Sequence, residues 1–281
     1  LKFFEKKIIK HLPALARTVQ RSLSDEKKIE AVYSEMRSKN EIIDMIFPYR
    51  EKFTIHRSMP EKSTSKEDVL NQIREMHQVE SAPWKNGKIS GSFYHGDQEH
   101  YDFLNEAFSF YSQVNSLQRD FCPSLTKYEG EIIAMTLDIF NGKAVSDRDP
   151  KQKACGSLTT GGSDSIYQSV YAHREWGLDK KGITQPEIII PATSHPAFFK
   201  AAHYLNMKVI MAKTDENHLA DVIDIESKIT SNTVLIISSA GNYGHGLIDP
   251  IEKLSDLALK HNVGLHVDGC LGGFILAWAE P

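Results

Sequence analysis

The 281-residue sequence has only three cysteines, Cys122, Cys155 and Cys270, and no two of them form a CxxC pair. That usage argues against a disulfide framework or a zinc site and favours a reducing compartment. No apolar run approaches the roughly 20 residues a helix needs to cross a bilayer, and no signal-peptide pattern is present. Charge of one sign is not in excess: the formal net charge is −4, which gives no general reason to expect nucleic acid as a partner. No glycine-rich stretch runs into Gly-Lys-Ser/Thr, and no GxGxxG follows a strand-like run, so neither a P-loop nor a dinucleotide site is indicated. Repeats and low-complexity tracts are also missing. The first residue is Leu1 rather than Met, so a preceding segment is expected.

What remains is ordinary globular composition, 41% hydrophobic and 25% charged, long enough for a substantial core in one large or two smaller domains. Phe4, Ile8, Leu12, Leu15, Val19 and Leu23 recur at helical spacing among Lys2, Lys6, Lys7, Lys10, Arg17 and Arg21. This basic amphipathic pattern suits a membrane surface, or equally a helix packed on its own protein with its basic side in water. Pro13 interrupts it. Residues 57–67 (RSMPEKSTSKE) read as a linker. Helical periodicity dominates 98–176, for example Tyr101, Leu104, Ala107, Phe108 and Tyr111, then Ile132, Ile133, Leu137 and Phe140. From residue 187 the rhythm changes to short apolar runs at Ile188–Ile190, Val209–Met211, Val234–Ile237 and Val263–Val267. Helical segments at Pro196–Tyr204, Leu219–Ile229 and Pro250–His261 separate them. Buried strands alternating with amphipathic helices predict βα units and a mostly parallel sheet, which binds ligands beyond the carboxyl ends of its strands.

Three stretches place chemistry at such ends. In "HVDGC" (266–270) Asp268 closes an apolar strand and small residues follow. "TTGGSDS" (159–165) precedes a helix expected from Ile166 to about Trp176. Its glycines, hydroxyl and helix N-terminus suit a phosphate, although Ser163 or Asp164 as a plain N-cap is the commoner use of such residues. In "TSHPAFFKAA" (193–202) His195 follows a strand, on the same sheet edge as Asp268. A lone histidine is more often structural. A cradle, a flat ring and an acid in that order are nonetheless parts for a planar phosphorylated heterocycle.

The sequence resembles the fold-type I pyridoxal-phosphate enzymes of the aspartate aminotransferase superfamily. Within them it resembles the group II decarboxylase-like branch, and in that branch the sphingosine-1-phosphate lyase family. "SGSFYHG" (90–96), "TTGGSDSI" (159–166), "TSHPAFFKAAHYLNMKV" (193–209), "GHGLIDPIEKLSDLALKHNV" (244–263) and "LHVDGCLGGFI" (265–275) carry the resemblance, over roughly 85–281. It implies an α/β fold with a mostly parallel central sheet flanked by helices, and a C-terminal small domain outside these residues. The expected divisions are a basic N-terminal helical segment with linker (1–66), a helical region (67–127) and the large cofactor-binding α/β domain (128–281). The implied cofactor is pyridoxal 5′-phosphate. Asp268 then pairs with the ring nitrogen, His195 stacks on the ring, Gly269 lies against it, and Gly162 and Ser163 hold the phosphate. Tyr94, Asn115 and Gln118 fall at positions that reach the substrate, with Tyr94 and Asn115 contributed across the subunit boundary of a homodimer.

The implied reaction is retro-aldol cleavage of a phosphorylated sphingoid base, a long-chain amine, to a fatty aldehyde and phosphoethanolamine, with Tyr94, His195 and Asp268 as the catalytic set. The implied location is the cytosol or the cytosolic face of a membrane, that of the endoplasmic reticulum in a eukaryote. Departures from the family are Asn115-Ser116-Leu117-Gln118 where Asn-Pro-Leu-His is usual, Ser163-Asp164 for Thr-Glu, and Gly269 for alanine. Gln118 hydrogen-bonds but cannot carry charge. Lys200, Lys253 and Lys260 stand in no motif like the family's His-Lys, so the Schiff-base lysine is expected beyond Pro281. An amino-acid decarboxylase and a non-catalytic binding subunit are the alternative readings.

Overall fold

The computed structural model describes residues 49–89 and 97–279. The basic N-terminal pattern and the segment holding Tyr94 lie outside the described residues. The chain divides into two units, residues 1–88 and 89–281. In the first, the polar 57–65 stretch leads into helix α1 (Lys66–Lys85). Ser65 caps it by accepting the Asp68 N–H, and Tyr49 donates to Glu80 at 2.8 Å to tie the preceding turn to the helix.

The second unit opens with α2 (Gln98–Tyr111), α3 (Pro123–Ile139) and the short α4 (Lys143–Arg148). Asp97 caps α2, and Pro123 starts α3, where its missing N–H costs nothing. Helix α5 (Gly162–Lys181) begins four residues before the sequence expectation. Then follow β1 (Glu187–Pro191), α6 (Ala197–Tyr204), β2 (Lys208–Ala212), α7 (Val222–Ser227), β3 (Thr233–Ser239), α8 (Ile251–His261), β4 (Gly264–Asp268) and the single turn α9 (Gly273–Leu276). All four apolar runs are strands, within two residues of their expected bounds.

The strands pair in the order β2-β1-β3-β4, every pair parallel. Winding goes outward from β1 to β2, then returns across β1 to β3 and on to β4. Right-handed crossovers put helices on opposite faces when the winding direction reverses. Accordingly α5 and α6 cover one face over Ile188, Ile190, Leu235 and Ile237, while α7 and α8 cover the other over Ile189 and Ile236. The central strands β1 and β3 are buried along their whole length, as uninterrupted isoleucine-rich runs require. Reversal opens a crevice at the carboxyl ends between β1 and β3, where such sheets hold ligands.

At the opposite sheet end Glu187, 4% exposed, accepts from Lys208 at 2.7 Å and from the Thr230 hydroxyl at 2.6 Å. The Lys208 bond, with help from Thr230, holds its carboxyl below the usual range. At the carboxyl end Asp249, 3% exposed, accepts the Ser239 N–H at 2.7 Å and the Ala220 N–H at 3.0 Å. These bonds pin the end of β3 to the loop after β2. Burial outweighs them and raises the Asp249 pKa.

Candidate functional site

A cavity of about 490 Å³ lies at the carboxyl ends of the strands, lined by Gly162, Ser163, His195, His266, Asp268 and Gly269 among others. Two of its walls come from different parts of the chain. One is the start of α5. The residue before it, Gly161, has φ +152° and ψ 173°, a conformation essentially restricted to glycine. No side chain caps the helix, and the first N–H groups of any helix have no acceptor within it. The plain-cap reading of Ser163 or Asp164 is therefore corrected. Asp164 turns backward and accepts from the Thr160 N–H at 3.0 Å and from its hydroxyl. The Thr160 backbone bond is the chief reason its carboxyl stays below the usual range. The Ser165 hydroxyl is joined to that of Thr159 at 2.6 Å. The uncapped end, with its positive dipole, faces the cavity through Gly162 and Ser163.

The facing wall is the end of β4. Alternation along this strand puts Gly264, His266 and Asp268 on the α5 side and Leu265 on the α8 side, where it joins the second core cluster. Asp268 accepts the Cys270 N–H at 3.0 Å, which fixes one carboxylate oxygen, and its carbonyl accepts from Ala240 at 2.8 Å. Gly269 follows, where an added Cβ would stand 3.1 Å from the Gly273 Cα. His195, exposed in the loop after β1, accepts the Ala197 N–H at its Nδ1 at 3.1 Å, so a neutral ring carries its proton on Nε2.

The structure thus brings Gly162, Ser163, His195 and Asp268 to one cavity. It does not bring Asn115 and Gln118 there. Both are exposed on the loop between α2 and α3, with Asn115 accepting the Leu117 N–H in a tight turn. His266 and Cys270 also line the cavity and were not singled out from sequence. The signal for His266 was available: two residues before Asp268 on a strand is the same face.

The model of the pyridoxal-dependent decarboxylase conserved domain matches residues 48–279. The chain belongs to this family. A sphingosine-1-phosphate lyase of Dictyostelium discoideum is 37% identical over 80% of the chain and 41% of its own length. A sphingosine-1-phosphate lyase of Rattus norvegicus is 34% identical over 98% of the chain and 44% of its own length. The solved structure of a Burkholderia pseudomallei sphingosine-1-phosphate lyase superposes with a TM-score of 0.79 and 43% identity, over 83% of the chain and 53% of that structure. The chain spans less than half the length of these curated relatives. Membership of the pyridoxal-dependent decarboxylase family makes pyridoxal 5′-phosphate the cofactor, and the residues present fit it. An uncapped helix start can hold the phosphate and a strand-end carboxylate the ring nitrogen, and both line the same cavity.

Proposed function

We propose that this chain carries the cofactor-holding part of a carbon–carbon lyase that cleaves a phosphorylated long-chain base to a fatty aldehyde and phosphoethanolamine. The observation that carries the reading is the single cavity shared by the α5 N-terminus and Asp268. Bound there, pyridoxal phosphate supplies an electron sink for breaking the bond between the amine-bearing and hydroxyl-bearing carbons. The chain's residues hold and orient it. Gly162 and Ser163 bind the phosphate through N–H groups and a hydroxyl. Asp268 keeps a proton on the ring nitrogen, its free oxygen oriented by the Cys270 bond to the other. His195, its Nδ1 already taken by Ala197, offers a flat face to the ring and an N–H at Nε2. Tyr94 and Asn115 complete the substrate side from a second copy of the chain, and Gln118 belongs to the same substrate side. The exposed Phe103, Phe108 and Phe110 of α2 support such a dimer. Among the described residues no helix is long and apolar enough to cross a membrane. Surface association through the basic N-terminal pattern belongs to the same reading.

The similarity to sphingosine-1-phosphate lyases favours this substrate over a free amino acid. The family description itself favours the second reading, an amino-acid decarboxylase. Presenting the full-length protein with a phosphorylated sphingoid base and, separately, with free amino acids decides between them. Release of long-chain aldehyde and phosphoethanolamine is expected. Carbon dioxide from an amino acid, with no cleavage of the lipid, would replace the lyase reading.

A further inference from the structure

One side-chain bond joins the two cavity walls directly. The Ser169 hydroxyl of α5 lies 2.8 Å from Nδ1 of His266 on β4. Ser169 sits about two turns on from Gly162 and so on the same face of the helix. His266 sits two residues before Asp268 on the same face of the strand, and it lines the cavity too. The His266 ring has little freedom to turn. Phe198 of α6 meets it edge-on, with centroids 5.2 Å apart, and the Ser238 hydroxyl of β3 holds its backbone carbonyl at 3.1 Å. One turn further along α5, His173 donates its Nδ1–H to the Ser169 carbonyl, 2.8 Å away. The ring of His173 packs against Gly264, where any Cβ would overlap it. Helix and strand are therefore keyed together at two successive levels, the upper one directly beneath the cavity.

We propose that Ser169 and His266 are a positioning pair that sets the separation between the phosphate-holding start of α5 and the Asp268 carboxylate. The inference rests on the cofactor reading above and assigns neither residue a part in bond breaking. A phosphate and a ring nitrogen are held at a fixed separation by their own covalent frame, so the two protein groups that receive them must match it closely. The lowered proton affinity of the ring accompanies this geometry. Burial is the main cause that holds the His266 pKa below the ordinary histidine range. Asp268 of the same strand opposes this, and His173 of α5 adds to it. A neutral ring leaves the Asp268 charge to the cofactor's cationic nitrogen, whereas a protonated one would compete for it.

The test is the dissociation constant of pyridoxal phosphate, read by fluorescence titration of the full-length protein at a temperature well below its thermal midpoint. Ser169→Ala and His266→Phe are each expected to weaken binding about tenfold, the scale of one lost buried hydrogen bond. The double variant is expected to be no weaker than either single one, because the two residues act through one bond. Ser169→Thr, which keeps the hydroxyl, is expected to bind as the wild type does. Wild-type binding by Ser169→Ala, losses that simply add in the double variant, or a lowered thermal midpoint with unchanged affinity would each overturn the pair alone. Absent binding by the wild type, or undiminished binding by Asp268→Ala, would overturn the cofactor reading and the pair with it.

Discussion

Asp268 is the carboxylate that lines the cavity, and the proposed function gives it the ring nitrogen. Its Oδ1 is held by the Cys270 N–H, so the ring nitrogen would meet an acid already oriented. Asp268→Ala is expected to lower lyase turnover by about 10²- to 10³-fold, measured as aldehyde release, while circular dichroism shows the fold intact. Near-normal turnover would remove the residue from the mechanism. The histidines beneath it set a pH dependence of stability. Burial is the first cause lowering the pKa of both His173 and His266. Between their folded-state values and the ordinary histidine value of about 6.5, the unfolded chain binds more protons than the folded one. Stability therefore rises with pH through that window and is lost as pH falls below about 6.5. Denaturant midpoints measured from about pH 7.5 down to 5.5 should show the fall, and His173→Gln should flatten it. An unchanged slope in that variant would assign the dependence to other groups.

Each element was legible in sequence to the extent that its burial was simple. Strands β1 to β4 are short apolar runs bounded by polar turns, and buried parallel strands leave little other pattern for such runs to serve. The start of α5 was not legible in the same way. Ser163 and Asp164 are good capping residues, and only the backbone at Gly161 and the backward turn of Asp164 to Thr160 show that neither caps the helix. The role of His266 was hidden because its partner, Ser169, lies in another element far back in the chain. Asn115 and Gln118 were legible by resemblance alone, and neither lines the cavity that holds Asp268. Gly161 carries a prediction of its own. An alanine there takes on backbone strain on the order of 1–3 kcal/mol and displaces the first turn of α5. Gly161→Ala is expected to weaken pyridoxal phosphate binding and lower the unfolding midpoint together, read by titration and thermal melt. Loss of neither would show that the turn relaxes freely.

For the molecule as a whole, the substrate side and the cofactor side are expected to come from different copies. Protomers carrying Tyr94→Phe and protomers carrying Asp268→Ala are each expected to be inactive alone. Mixed so that they exchange, they should recover part of the activity, because some hybrid dimers hold one intact site. No recovery, with mixed dimers shown to form, would mean that each site is built from one chain. The strand pairing also has a consequence for synthesis. Glu187 pairs with Lys208 and Thr233, and Leu235 pairs with Gly264, so every strand finds its partner among recently made neighbours. A chain leaving the ribosome can close this sheet one strand at a time, with little loop entropy at each step. Helix α5, proposed to receive the phosphate, is made before all four strands, and β4, which ends in Asp268, is made last of them. A nascent chain stalled before Gly264 would therefore hold a phosphate perch without a ring anchor, and the cofactor would grip firmly only once β4 had docked.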